Sequence, residues 1–139
     1  MKIAITGHTK GIGKCIKDLL EKDGHEVVGA STSTGINVMR PKSVISWIEK
    51  ENPDVFVNNV YAPNSQCNIL YQLYEKWQYE DKLIINMSST SGEAHTHFQQ
   101  MGYNKDWTPY VSDKARLNFA SLYLSERFNE HHKCRVTNV

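Results

Sequence analysis

A tyrosine and a lysine four residues apart are the side chains of this sequence best suited to acid–base chemistry. Tyr110 and Lys114 stand at the start of a predicted helix, where residues four apart share one face. A phenol ionises with a pKa of about 10, and a nearby ammonium group favours its charged form. The pair could therefore move a proton to or from a substrate oxygen. The alternative is a surface helix that carries the two residues by chance.

A glycine-rich turn near the N-terminus is the second chemical feature. Gly7, Gly11 and Gly13 follow a β-branched run and precede a helical pattern that ends at Gly24. Such a turn lets the backbone approach a dinucleotide pyrophosphate, and the free N–H groups of the helix N-terminus attract phosphate. A purely structural turn is the alternative. Because the turn lies within a strand–helix–strand unit, the sequence favours nucleotide binding.

The elements that position these residues alternate between strand and helix patterns. Six strands are predicted, with bounds Lys2–Thr6, Glu26–Ala30, Ile36–Val38, Asp54–Val60, Lys82–Ser88 and Arg135–Val139. Helices are predicted after the glycine turn, from Pro41, from Asn64 or Ser65, and over Tyr110–Phe128. The polar stretch Ser91–Trp107 is predicted as a long loop, either a lid or a surface insertion. This order predicts an α/β domain with a parallel sheet over residues 1–139, whose sixth strand is incomplete.

The last predicted helix carries two apolar stripes. One consists of Val111, Ala115, Phe119 and Leu122, and the other of Leu117 and Leu124. A helix that lies on a sheet needs only one such stripe. The second stripe is predicted either to contact another helix or a second subunit, or to widen the buried face.

Composition excludes several classes of protein. The chain has 139 residues, 40% hydrophobic and 22% charged, and 16 basic side chains against 15 acidic ones give a net charge of +1. These values predict one soluble domain that lacks the field needed to hold nucleic acid or an anionic membrane. No apolar run approaches the length of a membrane-spanning helix.

Cysteine and histidine spacing argues against disulfides and metal binding. Cys15, Cys67 and Cys134 are odd in number and far apart, which is typical of reduced thiols in a cytoplasmic protein. The close histidine pairs, His95 with His97 and His131 with His132, lack a third ligand at a suitable spacing. We therefore expect no metal.

Four motifs in chain order together resemble the short-chain dehydrogenase/reductase family. They are Thr6-Gly7-x-x-x-Gly11-Ile12-Gly13, Asn58-Asn59-Val60-Tyr61, Asn86-Met87-Ser88-Ser89 and Tyr110-x-x-x-Lys114. The resemblance covers essentially the whole chain. It implies a Rossmann-like, doubly wound parallel sheet in three α/β/α layers. It also implies an oxidoreductase that passes hydride between a nicotinamide and a carbonyl or alcohol substrate.

The resemblance implies roles for the catalytic residues. Tyr110 would be the general acid/base, Ser89 would position the substrate oxygen, and Lys114 would tune Tyr110 and reach the nicotinamide ribose. The family's fourth catalytic member is an asparagine on the preceding helix, and both Asn64 and Asn68 are candidates.

The resemblance also implies a cofactor site. Its residues would be Gly7, Thr9, Lys10, Gly11, Ile12, Gly13, Ser31, Thr32, Asn37, Asn59, Tyr110 and Lys114. Ser31 holds the place where NAD-specific members carry an acidic residue, and Lys10 resembles the basic residue of NADP-preferring members. NADP(H) is therefore the expected cofactor, with NAD(H) possible. Asn37 stands where the family has an aspartate at the adenine pocket.

Three departures from the family pattern stand out. Tyr61 replaces a glycine, the stretch from Ser89 to Tyr110 is longer than in simple family members, and family members are considerably longer than this chain. The difference in length leaves alternatives open. A second subunit, in a dimer or tetramer, or a C-terminal part outside this chain would then close the substrate site. One alternative is a catalytically silent NAD(P)-binding regulatory protein. A weaker one is a relative of nucleotide-sugar epimerases and dehydratases.

Overall fold

Five short strands form one parallel sheet in this computed structural model, which describes residues 1–96 and 108–139. The strands are β1 (Lys2–Thr6), β2 (Glu26–Ala30), β3 (Val55–Asn58), β4 (Leu83–Asn86) and β5 (Arg135–Asn138). Their order across the sheet is β2-β1-β3-β4-β5. All neighbours are parallel, so the carboxyl ends of the strands meet at one edge of the sheet.

Four α-helices connect these strands in the described residues. They are α1 (Gly11–Lys22), α2 (Pro41–Glu51), α3 (Ser65–Trp77) and α4 (Thr108–Ser125), with short 3-10 helices at Thr32–Thr34 and Thr90–Thr96. Pro41 occupies the first turn of α2, where its missing N–H costs nothing. Among the helices that the structure describes, none is both long and apolar enough to cross a membrane.

The helices lie on both faces of the sheet, which confirms the Rossmann-like α/β architecture. Ala4, Phe56 and Ile84 pack in one core cluster with residues of α2, α3 and α4. Ile3 and Val55, which point the opposite way along the same strands, pack in a second cluster with α1. The site-bearing helices α3 and α4 therefore share one face.

The predicted strand Ile36–Val38 is wrong, and the described part of the sheet has five strands instead of six. After the 3-10 turn Thr32–Thr34, Gly35 adopts a left-handed conformation with φ of 82°. The Asn37 side chain then accepts a hydrogen bond from Met39 N (2.9 Å) and closes a second turn. Val38 is buried, but this backbone joins no strand. The short alternation of apolar residues that predicted a strand here belongs to a partly buried loop.

The prediction for Ser91–Trp107 is partly outside the described residues. Residues up to Thr96 belong to the 3-10 helix Thr90–Thr96, so this part is not a loop. The lid or insertion expected over residues 97–107 lies outside the described ranges.

Helix α4 buries a different stripe from the main one expected. Leu117 and Leu124 are 1% and 3% exposed, whereas Phe119 and Leu122 are 72% and 60% exposed. The buried stripe also contains Lys114 and Ser121, so an apolar pattern alone could not reveal it. The second stripe therefore forms the intrachain core, and the suggestion that it contacts a second subunit is wrong.

Candidate active site

Buried polar side chains lie at the carboxyl edge of the sheet and tie the strands to the helices. Asn58 Nδ2 donates to Asn86 Oδ1 on the next strand and to the backbone oxygen of Gln66, both at 2.9 Å. Asn86 Nδ2 donates to Ser121 Oγ on α4 at 3.0 Å. Because buried amides need partners, this network fixes α3 and α4 at the strand ends.

The glycine turn is closely packed against the loop that follows β3. A Cβ atom on Gly13 would lie 2.2 Å from Gly7 O and 2.7 Å from Asn59 Nδ2. Gly7 itself has φ of 74°, which favours glycine. The Asn59 side chain donates to Thr6 O at 2.9 Å and so joins this loop to β1. Only glycines at these two positions leave the backbone of the turn open at the start of α1.

A cavity of about 340 Å³ opens beside this turn. Its lining residues are Gly7, Thr9, Lys10, Ile12, Gly13, Ala30, Ser31, Thr32, Ile36, Val38, Asn59 and Val60. One wall is the glycine turn with the N-terminus of α1, and the opposite wall is apolar. The volume falls in the lower range of small-molecule sites. Backbone N–H groups, hydroxyls and an apolar wall suit a phosphorylated nucleoside.

The Lys114 ammonium group lies in the interior, between α3, α4 and the end of β4. The residue is 3% exposed, and Nζ donates to Gln66 Oε1 at 2.8 Å and to Met87 O at 2.6 Å. Burial lowers the pKa of Lys114. Within residues 1–96 and 108–139, no carboxylate forms an ion pair with it.

Two tyrosine rings flank this ammonium group. Nζ of Lys114 lies 5.6 Å from the ring centroid of Tyr110 and 5.9 Å from that of Tyr61. The two rings meet edge to face, with centroids 4.8 Å apart and planes at 79°. The Tyr61 hydroxyl donates to Asp113 Oδ2 at 3.3 Å, and burial raises the pKa of Tyr61. Tyr61 therefore packs on the predicted catalytic tyrosine where the family has a glycine.

Comparison with solved structures identifies this arrangement of strands and helices. A short-chain dehydrogenase from Burkholderia cenocepacia J2315 in complex with NADP superposes with a TM-score of 0.77 at 14% identity, over 99% of this chain and 69% of that one. One from Leptospira borgpetersenii with bound NAD+ gives 0.65 at 17% identity, over 99% of this chain and 68% of that one. The chain has the fold of the short-chain dehydrogenases.

A GDP-L-fucose synthetase from Naegleria fowleri matches equally well. Its TM-score is 0.77 at 17% identity, over 99% of this chain and 48% of that one, and a second structure of it is bound to NADP. This chain thus spans about half the length of the fucose synthetase. No family model and no curated protein sequence matches the chain.

Most of the residues expected at a short-chain dehydrogenase cofactor site lie around the cavity. Those that line it are Gly7, Thr9, Lys10, Ile12, Gly13, Ser31, Thr32 and Asn59. Gly11 begins α1 next to them but does not line the cavity. Asn37 is exposed, and its side chain closes a local turn. Its neighbours Ile36 and Val38 line the apolar wall of the cavity instead. The sequence analysis assigned these two residues to a strand and so did not include them in the cofactor site.

Ser89 lies two residues after Met87, and among the described residues no hydrogen bond joins it to Lys114. Its Oγ accepts from Ser91 N at 3.1 Å, and it follows Met87, whose carbonyl oxygen binds Lys114. Ser89 lines a second, open cavity of about 770 Å³, together with Asn118 and Phe119 of α4. The structure thus places the predicted substrate serine at the mouth of a large open space.

Neither asparagine considered for the fourth catalytic position reaches Lys114. Asn64 Oδ1 and Asn68 Oδ1 both accept from the Arg116 guanidinium, at 2.8 and 3.2 Å. Asn64, which immediately precedes α3, and Asn68 in its first turn bind the same guanidinium, whereas Gln66, between them, points to a different side. Gln66 is the α3 residue that binds the lysine, and a search restricted to asparagine missed it.

The described residues also bear on metal binding. No group of three or more histidine, cysteine or acidic side chains that could hold a metal ion occurs in the described part of the chain.

Proposed function

We propose that this chain is an NADP(H)-dependent oxidoreductase of the short-chain dehydrogenase/reductase family, acting on a carbonyl/alcohol pair with Tyr110 as general acid/base. The observation that carries the proposal is the buried Lys114 ammonium, held by neutral oxygens and packed against the Tyr110 ring. Lys114 forms no direct ion pair within residues 1–96 and 108–139, and a buried charge held in this way costs stability, so such groups concentrate at functional sites. The glycine turn and its cavity belong to the same edge of the sheet.

The residues of the chain would divide the chemistry between them. A bound nicotinamide supplies or accepts the hydride. Tyr110 donates a proton to the substrate oxygen during reduction and removes it during oxidation. The positive charge of Lys114 favours the ionised phenol that remains, and Ser89 holds the substrate oxygen.

The cavity residues would hold the dinucleotide. Gly7, Gly13 and the N-terminus of α1 offer backbone N–H groups to the pyrophosphate. Lys10, Ser31 and Thr32 line the same cavity and carry the charge and hydroxyls that suit a 2′-phosphate. The preference for NADP(H) over NAD(H) rests on these three side chains.

A nucleotide-sugar enzyme is the second candidate, and the match to the fucose synthetase favours it. The two candidates share Tyr110 and Lys114 and differ in the substrate. The open cavity beside Ser89 could take either a small carbonyl compound or the sugar of a nucleotide sugar. Substrate screening therefore has to include both classes.

Turnover tests the proposal directly. We expect NADPH oxidation with at least one ketone, aldehyde, quinone or keto-sugar nucleotide. The loss of absorbance of the reduced nicotinamide measures it. Tyr110→Phe should lower kcat by about 100-fold or more, because it removes the transferred proton. The matched control Tyr71→Phe alters an exposed tyrosine on α3 and should keep the wild-type rate.

Three outcomes separate the candidates. Activity only with nucleotide sugars favours the second candidate. NADPH binding without turnover on any substrate favours a silent regulatory protein. Full activity in Tyr110→Phe contradicts the role assigned to Tyr110.

Two broader properties belong to the proposal. We expect a dimer or tetramer in which a second copy covers the exposed residues Phe119 and Leu122 of α4. A net charge of +1 offers little repulsion between copies. Cys15, Cys67 and Cys134 are all free thiols, which supports a reducing, cytoplasmic location.

A further inference from the structure

Gln66 stands at the first turn of α3 with both ends of its side-chain amide bonded. Nε2 donates to Asn58 O at 2.8 Å and to Met87 O at 3.1 Å, and Oε1 accepts from Lys114 Nζ at 2.8 Å. Two carbonyl acceptors on one side fix the amide orientation, because an oxygen placed there would face them without a proton. The amide oxygen is therefore directed at the ammonium group.

The backbone of Gln66 is held as firmly as its side chain. Its carbonyl oxygen accepts from Asn58 Nδ2 at 2.9 Å, and the residue is 4% exposed. Asn58 is in turn bonded to Asn86, so the amide belongs to the network at the strand ends. Such a supported amide can fix a flexible lysine side chain in one geometry.

The chemical type of Gln66 matters because it is neutral. A glutamate has nearly the same shape, but it would form an ion pair with Lys114 and cancel much of its field at Tyr110. An apolar side chain would remove one hydrogen bond from the ammonium group and one from each of two carbonyl oxygens, Asn58 O and Met87 O. An amide avoids both consequences.

The other titratable groups around Lys114 leave its charge in place. Tyr61, Cys67, Tyr110 and Asp113 face it from the loop before α3, from α3 and from α4. Burial raises the pKa of Cys67, so its thiol stays neutral, and Asp113 accepts hydrogen bonds from Tyr61 and from Asn64 N. On the 3-10 helix, Glu93 lines the second cavity.

We propose that Gln66 is the positioning residue of this site: its amide oxygen holds the Lys114 ammonium beside Tyr110 without neutralising it. The contribution of Gln66 to catalysis rests on the proposed function, but the hydrogen bond between Gln66 and Lys114 forms in the chain without cofactor. It also assigns to Gln66 the support of Lys114 that neither Asn64 nor Asn68 gives.

The test is a pH titration of Lys114 monitored by NMR in protein with labelled lysine. The Lys114 signal is assigned as the one that disappears in Lys114→Met. In Gln66→Glu we expect the pKa of Lys114 to rise by about 1 to 3 pH units relative to the wild type. In Gln66→Leu we expect it to fall below the wild-type value, because a hydrogen bond to the charged form is lost. The control Gln72→Glu places the same charge on α3 at a partly exposed position and should leave the Lys114 signal unchanged.

The outcomes are distinct from those of the functional test. Equal Lys114 titrations in the wild type and both Gln66 variants would overturn the proposal. If Gln66→Glu does not fold, as judged by circular dichroism, Gln66→Leu and Gln66→Asn decide it, and an unchanged pKa in both contradicts it. Absence of NADPH binding and turnover in the wild type would refute the proposed function, while the titration would still decide the role of Gln66.

Discussion

Lys114 carries a positive charge into the interior of the protein, and its hydrogen bonds within residues 1–96 and 108–139 go to two neutral oxygen atoms, Gln66 Oε1 and Met87 O. Burial lowers its pKa, so folding works against protonation of this group. A residue that costs stability in this way is expected where chemistry requires it. At the residue scale, the motif Tyr-x-x-x-Lys predicted the pair, and the structure adds its surroundings, Gln66 and Tyr61.

The pH dependence of stability provides a test at this scale. The pKa of Lys114 is lower in the folded protein than in the unfolded chain, so between the two values the unfolded chain binds more protons. The free energy of unfolding should then rise with pH across that alkaline window. We expect the unfolding free energy of the wild type minus that of Lys114→Met to become more positive as pH rises towards about 10.5, measured by urea unfolding at several pH values.

A surface lysine provides the control for this prediction. Lys50→Met removes an exposed ammonium group on α2 and reports the effect of losing one charge anywhere on the surface. The interpretation is contradicted if the wild-type value minus the Lys114→Met value stays constant or becomes more negative as pH rises.

Helix α4 shows how one element serves both the core and the site. Its buried stripe runs through Val111, Lys114, Leu117, Ser121 and Leu124, which recur every three or four residues. Two of these five are polar because they bond to groups at the strand ends and on α3. The hydrophobic pattern therefore pointed to a wider apolar face than the helix actually buries.

Truncation of two leucines on α4 tests this assignment. Leu117→Ala should lower the free energy of unfolding by about 2 to 5 kcal/mol, because it leaves a cavity in the core. Leu122→Ala, the matched change on the exposed face, should alter it by less than about 0.5 kcal/mol in the monomer. Chemical denaturation of both variants measures the two effects, and equal losses would contradict the orientation of the helix.

At the scale of the whole molecule, the sheet brings distant segments to one edge. The glycine turn follows β1, Asn59 follows β3, Met87 follows β4, and the cavity lies where the strand order reverses between β1 and β3. This convergence brings motifs spread over residues 6 to 114 to one edge of the sheet.

Cofactor binding should stabilise the whole fold by mass action. We expect NADPH to raise the melting temperature more than NADH at equal concentration, because the dinucleotide that binds the folded protein more tightly stabilises it more. Ser31→Asp should reduce the NADPH shift, because the new carboxylate would repel a 2′-phosphate, and should spare the NADH shift. Equal shifts for both dinucleotides, in wild type and variant, would refute the cofactor preference.

Self-association is tested at the same scale. Phe119→Lys with Leu122→Lys should convert an oligomer to monomers in sedimentation, since both side chains are exposed on α4. Leu117 and Leu124 are buried, so the same substitutions there would unfold the core instead of separating subunits. A wild-type chain that is already monomeric would remove the basis for the oligomer.

The sequence by itself determined the parallel α/β fold, the glycine turn and the Tyr110–Lys114 pair. These depend on local signals: β-branched runs, glycines at fixed spacings, and helical periodicity. Local signals failed at Ile36–Val38, because a short apolar alternation fits a buried loop as well as a strand. Only the tertiary structure decided that Gln66, and neither Asn64 nor Asn68, binds Lys114. That choice depends on how α3 is rotated against β4 and α4, which long-range packing fixes and no local pattern encodes.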